Sequence, residues 1–169
     1  MVNATDAQTA ALLEVLHGVP DPEVPALDIV ELGIVRKVER RPDGVVVVEV
    51  TPTYSGCPAM RTIEEEIVVA LRANGYERVE LRTVYSPAWT TDWLSDQAKA
   101  KLKAYGIAPP GRAVAEQTLV PLAATIRRAA CPYCGSSNTE RRSEFGSTAC
   151  KAIHYCHHCR QPFEEFKAL

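Results

Sequence analysis

This 169-residue chain predicts an α+β fold in two parts, and three observations carry the prediction. Valine-rich segments on either side of "RPDG" read as a β-hairpin, and segments with apolar residues at helical spacing flank them. The last 39 residues hold two C-x2-C pairs. The expected class is a small sheet packed on helices, followed by a C-terminal zinc ribbon. A hydrophobic content of 46% and a charged content of 24% suit a globular chain with a proper core. The net charge of −2 leaves no global basic field, so neither nucleic acid nor a membrane surface is an expected partner. No basic leader with an apolar stretch and cleavage site opens the chain, and no window approaches the ~18 apolar residues of a membrane span. A cytoplasmic protein is expected. In a reducing cytosol its six cysteines are metal ligands or reactive thiols rather than disulfides.

The elements follow in order. From Asp6 to His17, Ala10, Leu12, Leu13, Val15 and Leu16 form an apolar stripe at helical spacing, and Gly18 stops the helix. "VPDPEVPALDIVELG" holds three prolines and four carboxylates, which exclude a regular element and predict a structured loop. Strands are expected at Ile34–Arg41 and Val45–Thr51, with Pro42, Asp43 and Gly44 at turn positions. "VVVVEV" is nearly continuous in apolar character, as a strand in the sheet centre requires. Met60, Ile63, Ile67, Ala70 and Leu71 trace a second helix that ends at Gly75; a strand from Val79 to Tyr85 and a more polar helix from about Leu94 to Tyr105 complete the first part. After Gly106, "GIAPPG" breaks the pattern, and residues 107–130 read as a linker or extension.

The tail carries the most specific signal. Cys131 and Cys134, then Cys156 and Cys159, form two C-x2-C pairs separated by 21 residues. Each pair lets a tight turn aim two sulfurs at one ion, and two pairs complete a tetrahedron around one structural zinc. Iron or an iron–sulfur cluster suits the same thiolates. With Phe145, Tyr155, Phe163 and Phe166 as its large core candidates, the segment needs the metal to fold. Cys150 reads either as an extra ligand or as a half-buried small hydrophobe on a strand. His154, His157 and His158 are expected to be exposed around the knuckle tip. From Cys131 onward five Lys/Arg face four Glu, a balance of +1 that points to protein docking rather than phosphate binding.

Cys57 stands alone in "TPTYSGCPAM". Pro58 fits a first helical position, so Cys57 is expected at or next to the N-cap, where the helix dipole lowers a thiol's pKa. Such a thiol serves as a nucleophile or a metal ligand; an inert buried cysteine is the alternative. A nucleophile needs a base, and His17, the one histidine before the ribbon, has no sequence tie to Cys57.

"DPEVPALDIVELGIVRKV" followed by "VVVVEVTPTYSGCPAM" resembles the metal–sulfur cluster assembly family over about residues 8 to 90. With "SPAWTTDWLSDQAKAKLKAYGIAPP" and the ending "FGSTACKA…PFEEFK", essentially the whole chain resembles the D subunits of bacterial phenylacetyl-CoA ring epoxidases. The resemblance implies a metal–sulfur cluster assembly domain at 6–106, a linker or extension at 107–130 and a ribbon at 131–169. It implies an accessory factor of phenylacetate catabolism rather than a catalyst, one that assembles or delivers iron or an iron–sulfur cluster to the oxygenase. The oxygenase and reductase subunits would be its partners, and a homodimer sharing one cluster between two Cys57 thiols stays open. A single thiolate holds such cargo without saturating it; Glu23 and Asp21 read either as supporting oxygen or recognition groups or as solvated turn carboxylates. A zinc-ribbon adaptor that scaffolds the oxygenase subunits and a thiol enzyme using Cys57 are the competing readings. Tyr54 and Ser55 depart from the threonine or small residues common in the broad family.

Overall fold

The computed structural model describes residues 7–111 and 129–169, so most of the predicted linker lies outside the described residues. The chain forms two compact units, Met1–Trp89 with Trp93–Ala98, and Thr90–Asp92 with Lys99–Leu169.

In the first unit, α1 (Ala7–Leu16), β1 (Val35–Arg40), β2 (Val46–Val50), α2 (Ala59–Ala73) and β3 (Val79–Thr83) follow the predicted order. The sheet runs β1-β2-β3, with β1 antiparallel and β3 parallel to β2. A parallel pair needs a crossover element, and α2 is that element. The valine run forms the central strand: Val46, Val47, Val48 and Val50 are all buried. On α2, Ile63, Ile67 and Leu71 repeat every four residues and therefore share one face. All three are fully buried, as are Leu12 and Leu16 of α1.

The proline-rich loop is a folded lobe. Val24, Leu27, Ile29, Leu32 and Ile34 are buried, and an isolated bridge joins Pro20 to Asp28. Two aspartates organise its backbone. Asp21 Oδ1 accepts the amides of Glu23 and Val24 at 2.8 and 2.7 Å, and Asp28 Oδ1 accepts those of Val30 and Glu31 at 2.9 and 2.8 Å. These are turns in which a short carboxylate replaces a backbone acceptor.

The polar helix α3 (Asp96–Tyr105) begins at Ser95, whose Oγ accepts the Ala98 amide at 3.0 Å. The second sheet contains β4 (Ile107–Ala108), β5 (Thr139–Ser143), β6 (Lys151–Cys156) and β7 (Pro162–Phe166) in the order β4-β7-β6-β5. Ile107 and Ala108, which the sequence reading gave to the linker, pair in parallel with Glu164 and Glu165 of β7. Phe163 and Phe166 are core residues as expected, but Phe145 is 65% exposed, with the Lys167 ammonium 4.7 Å from its ring centre. No helix of the described residues is long and apolar enough to cross a membrane.

Candidate metal centres

The second unit brings Cys131, Cys134, Cys156 and Cys159 together, with all four sulfurs within 4.8 Å of one another. Both knuckles are built alike. The Gly135 amide donates to the Cys131 carbonyl and the Arg160 amide to the Cys156 carbonyl, both at 2.9 Å. The residue after each pair is left-handed: Gly135 at φ 75° and Arg160 at φ 61°. Glycine adopts that conformation freely, whereas arginine pays about 1–2 kcal/mol for it. The Cys131–Cys159 and Cys134–Cys156 sulfurs are 3.6 Å apart. A zinc tetrahedron with bonds of about 2.3 Å has sulfur–sulfur edges of about 3.8 Å, so the donor set fits a closed tetrahedral ion.

Electrostatics prepare the site unevenly. The Cys159 amide, aided by that of His158, lowers the Cys156 thiol to about 6 against the cost of burial. Burial pushes Cys159 up to about 12. Four thiolates so close cannot all ionise unaided, and a divalent cation bound among them would supply the missing compensation.

Cys150 stands outside this group. It is buried just before β6, with its sulfur 3.1 Å from Thr148 Oγ1, so the small-hydrophobe alternative describes its setting. The expectation of three exposed histidines is corrected for one of them. His154 is completely buried on β6, its Nε2 2.7 Å from Glu165 Oε2, and Arg141 reaches the same oxygen at 3.2 Å. Ala152, His154 and Cys156 alternate on one buried face of β6, a period-two signal that the sequence carries. His157 and His158 are exposed, and His157 is paired with Glu140 at 3.1 Å.

In the first unit Cys57 lies at the end of the turn that leaves β2. Gly56 is left-handed at φ 80°, the Cys57 amide donates to the Tyr54 carbonyl at 3.2 Å, and α2 begins after Pro58, which occupies the N-cap. The thiol is half-buried. Its pKa runs opposite to the sequence expectation, above the ordinary thiol value. Burial is the main cause; the Glu23 and Asp21 carboxylates add to it, and they outweigh the lowering by the Ala59 amide and a hydrogen bond from Tyr54. The helix end is therefore present but overruled. Glu23 and Asp21 thus act on the Cys57 sulfur through their charge, but among the described residues only the four ribbon cysteines form a convergent ligand group. Beside the same turn a cleft of about 160 Å³ is lined by Thr53, Tyr54, Ser55, Tyr85 and Trp89. The Nδ1 of His17 lies 3.0 Å from Asp28 Oδ2, which gives this ring a partner in the loop.

The raised pKa has a measurable result. In zinc-loaded protein, iodoacetamide should alkylate Cys57 more slowly at pH 7.5 than it alkylates free cysteine. The rate should climb close to tenfold per pH unit until the thiolate saturates. Mass spectrometry of the labelled peptide follows the reaction; a rate above that of free cysteine would restore the helix-end activation.

Family models match both parts of the chain: "Iron-sulfur cluster assembly protein" over residues 9–81 and "PaaD zinc beta ribbon domain" over residues 116–167. An Escherichia coli (strain K12) protein, provisionally named as the D subunit of 1,2-phenylacetyl-CoA epoxidase, is 43% identical over 96% of this chain and 94% of its own length. The Staphylococcus aureus (strain USA300) protein named Fe-S protein maturation auxiliary factor SufT is 39% identical over 48% of this chain and 93% of its own. The crystal structure titled "Domain of Unknown Function DUF59 from Bacillus anthracis" superimposes with a TM-score of 0.53 at 32% identity, covering 57% of this chain and 92% of that one. An assembly-type domain joined to a PaaD ribbon, with identity to the Escherichia coli protein along nearly its whole length, shows that the chain belongs to the family of phenylacetyl-CoA epoxidase D subunits.

Proposed function

We propose that this protein is a non-catalytic maturation factor that carries iron or an iron–sulfur cluster on Cys57 and delivers it to a phenylacetyl-CoA epoxidase. The observation that carries the reading is the half-buried Cys57 thiol set within the field of Glu23 and Asp21. Two carboxylates that make a thiolate costly in the free protein make a bound cation favourable at the same spot. Loading then expels the thiol proton, and unloading takes one back. One soft sulfur and two hard oxygens cannot saturate a cluster, so client ligands can take it over. The maturation role of the Staphylococcus aureus relative and the epoxidase name of the Escherichia coli relative support the same direction.

The ribbon, with one structural zinc on Cys131, Cys134, Cys156 and Cys159, is the docking module for the oxygenase or reductase subunits. Tyr133 and Phe145 are its exposed aromatic side chains, 58% and 65% accessible, and aromatic residues are over-represented in protein interfaces. No disulfide links the six cysteines, which suits the cytoplasm.

Anaerobic reconstitution of zinc-loaded protein with ferrous iron and sulfide tests the carrier reading. The wild type should gain the visible absorbance of sulfur-bridged iron, and Cys57→Ala should lose it while keeping its zinc. Equal spectra in the two proteins would leave an adaptor that only scaffolds subunits.

A further inference from the structure

We infer that a pocket beside the start of β1, lined by Arg36, Trp93, Glu31 and Val30, binds a carboxylate group. It encloses about 210 Å³ within the first unit. The Arg36 guanidinium carbon lies 4.0 Å from the centre of the Trp93 ring, a cation–π contact that holds the fork over the indole. Its Nη1 is buried and has no hydrogen-bond partner among the described residues. A buried donor left unmatched costs about 1–3 kcal/mol, and more when it is charged, so each such atom in a folded protein calls for an explanation. Here the donor lies on a residue that lines the pocket.

The ligand class follows from size and charge. Pockets that enclose a drug-sized molecule run from about 300 Å³ upward, so this one takes a single functional group on a short stem. The guanidinium favours an oxyanion, for which a planar fork offers two parallel hydrogen bonds. Glu31 lines the same pocket and is held to the loop, its Oε2 3.4 Å from the Asp28 amide. One guanidinium against one carboxylate suits a monoanion and repels a dianion such as phosphate. Val30 and Val35 provide apolar wall for the stem. Both a small free acid and the carboxyl end of a peptide present this chemistry. The assignment does not depend on what Cys57 binds.

Titration of the full chain with sodium propionate, sodium phosphate and an acetylated tripeptide with a free or an amidated end tests it. Tryptophan fluorescence and calorimetry provide the readout. Saturable propionate binding, at least tenfold tighter than phosphate, is expected, and Cys57→Ser should leave it unchanged. If the free-ended peptide binds more tightly than both propionate and its amidated form, the source is a chain end; if propionate equals it, the source is a small acid. Arg36→Met should abolish binding while the circular dichroism stays that of wild type. Arg36→Lys, which keeps the charge but loses the fork, should weaken it at least fivefold. No saturable binding of propionate or peptide, phosphate binding as tight as propionate, or undiminished binding in Arg36→Met and Arg36→Lys would each overturn the assignment.

Discussion

Cys131→Ser should release about one equivalent of zinc per chain and unfold β5 to β7, and Cys156→Ser should do the same. The reason is the size of the ribbon's core. The buried cluster around the cysteines consists of Ala108, Ala129, Cys131, Cys156 and Phe163, with Cys159 packed against it, so half of that cluster is made of the candidate ligands themselves. A core of this size cannot offset the conformational entropy of ordering its strands. Structural zinc supplies an apparent binding free energy of about 10–16 kcal/mol in comparable small domains, and here that is folding free energy. The first unit draws its interior from Leu12, Leu16, the β2 valines, Ile63, Ile67 and Leu71, none of which is a ligand. Amide exchange should therefore become fast across Lys151–Phe166 while α2 and β2 stay protected. Zinc retained by both variants would mean that the ion is held by other groups.

Cys57→Ser is expected to separate folding from function. Serine is a good helix-end residue, and its hydroxyl can accept the Ala59 amide that now points at the sulfur, so denaturant unfolding should stay within about 1 kcal/mol of wild type. A serine hydroxyl does not ionise at neutral pH and is a hard donor, so iron loses its soft anionic ligand. Epoxidase produced in cells whose only copy of this protein is the variant should have less than a tenth of the wild-type activity, and its metal content should fall in parallel. A variant destabilised by several kcal/mol that still yields active epoxidase would make Cys57 a packing residue.

Much of this was legible before any coordinates. β2 announced itself as central because four of its five residues are valine. The convergence of Cys131, Cys134, Cys156 and Cys159 followed from two spacings, since C-x2-C leaves little freedom for where the sulfurs point. Local patterns could not disclose distant neighbours. Ile107 and Ala108 are a strand only because β7, more than fifty residues later, offers an edge. Arg160 has no glycine to advertise its left-handed turn. The Cys57 pKa was misjudged for the same reason: the helix end is written beside the cysteine, whereas burial is a product of the fold and the two carboxylates that add to it lie in a loop over thirty residues earlier. Phe145 illustrates the opposite limit, an aromatic side chain whose type suggested a core position and whose environment does not provide one.

The strand order β4-β7-β6-β5 also sets a timetable for synthesis. β7, the last of this sheet's four strands along the chain, lies inside it between β4 and β6. The residues of the first unit end at Ala98, and domains fold as they emerge at about 5–20 residues per second. The unit that carries Cys57 can therefore be finished while the ribbon is still an open hairpin with two of its knuckle cysteines unanchored. Only when Phe166 leaves the ribosome can the sheet close over its four-cysteine site, so a nascent chain stalled short of that point would expose reactive thiols and an unpaired strand edge. Quality-control proteases could read those as the mark of an unfinished molecule.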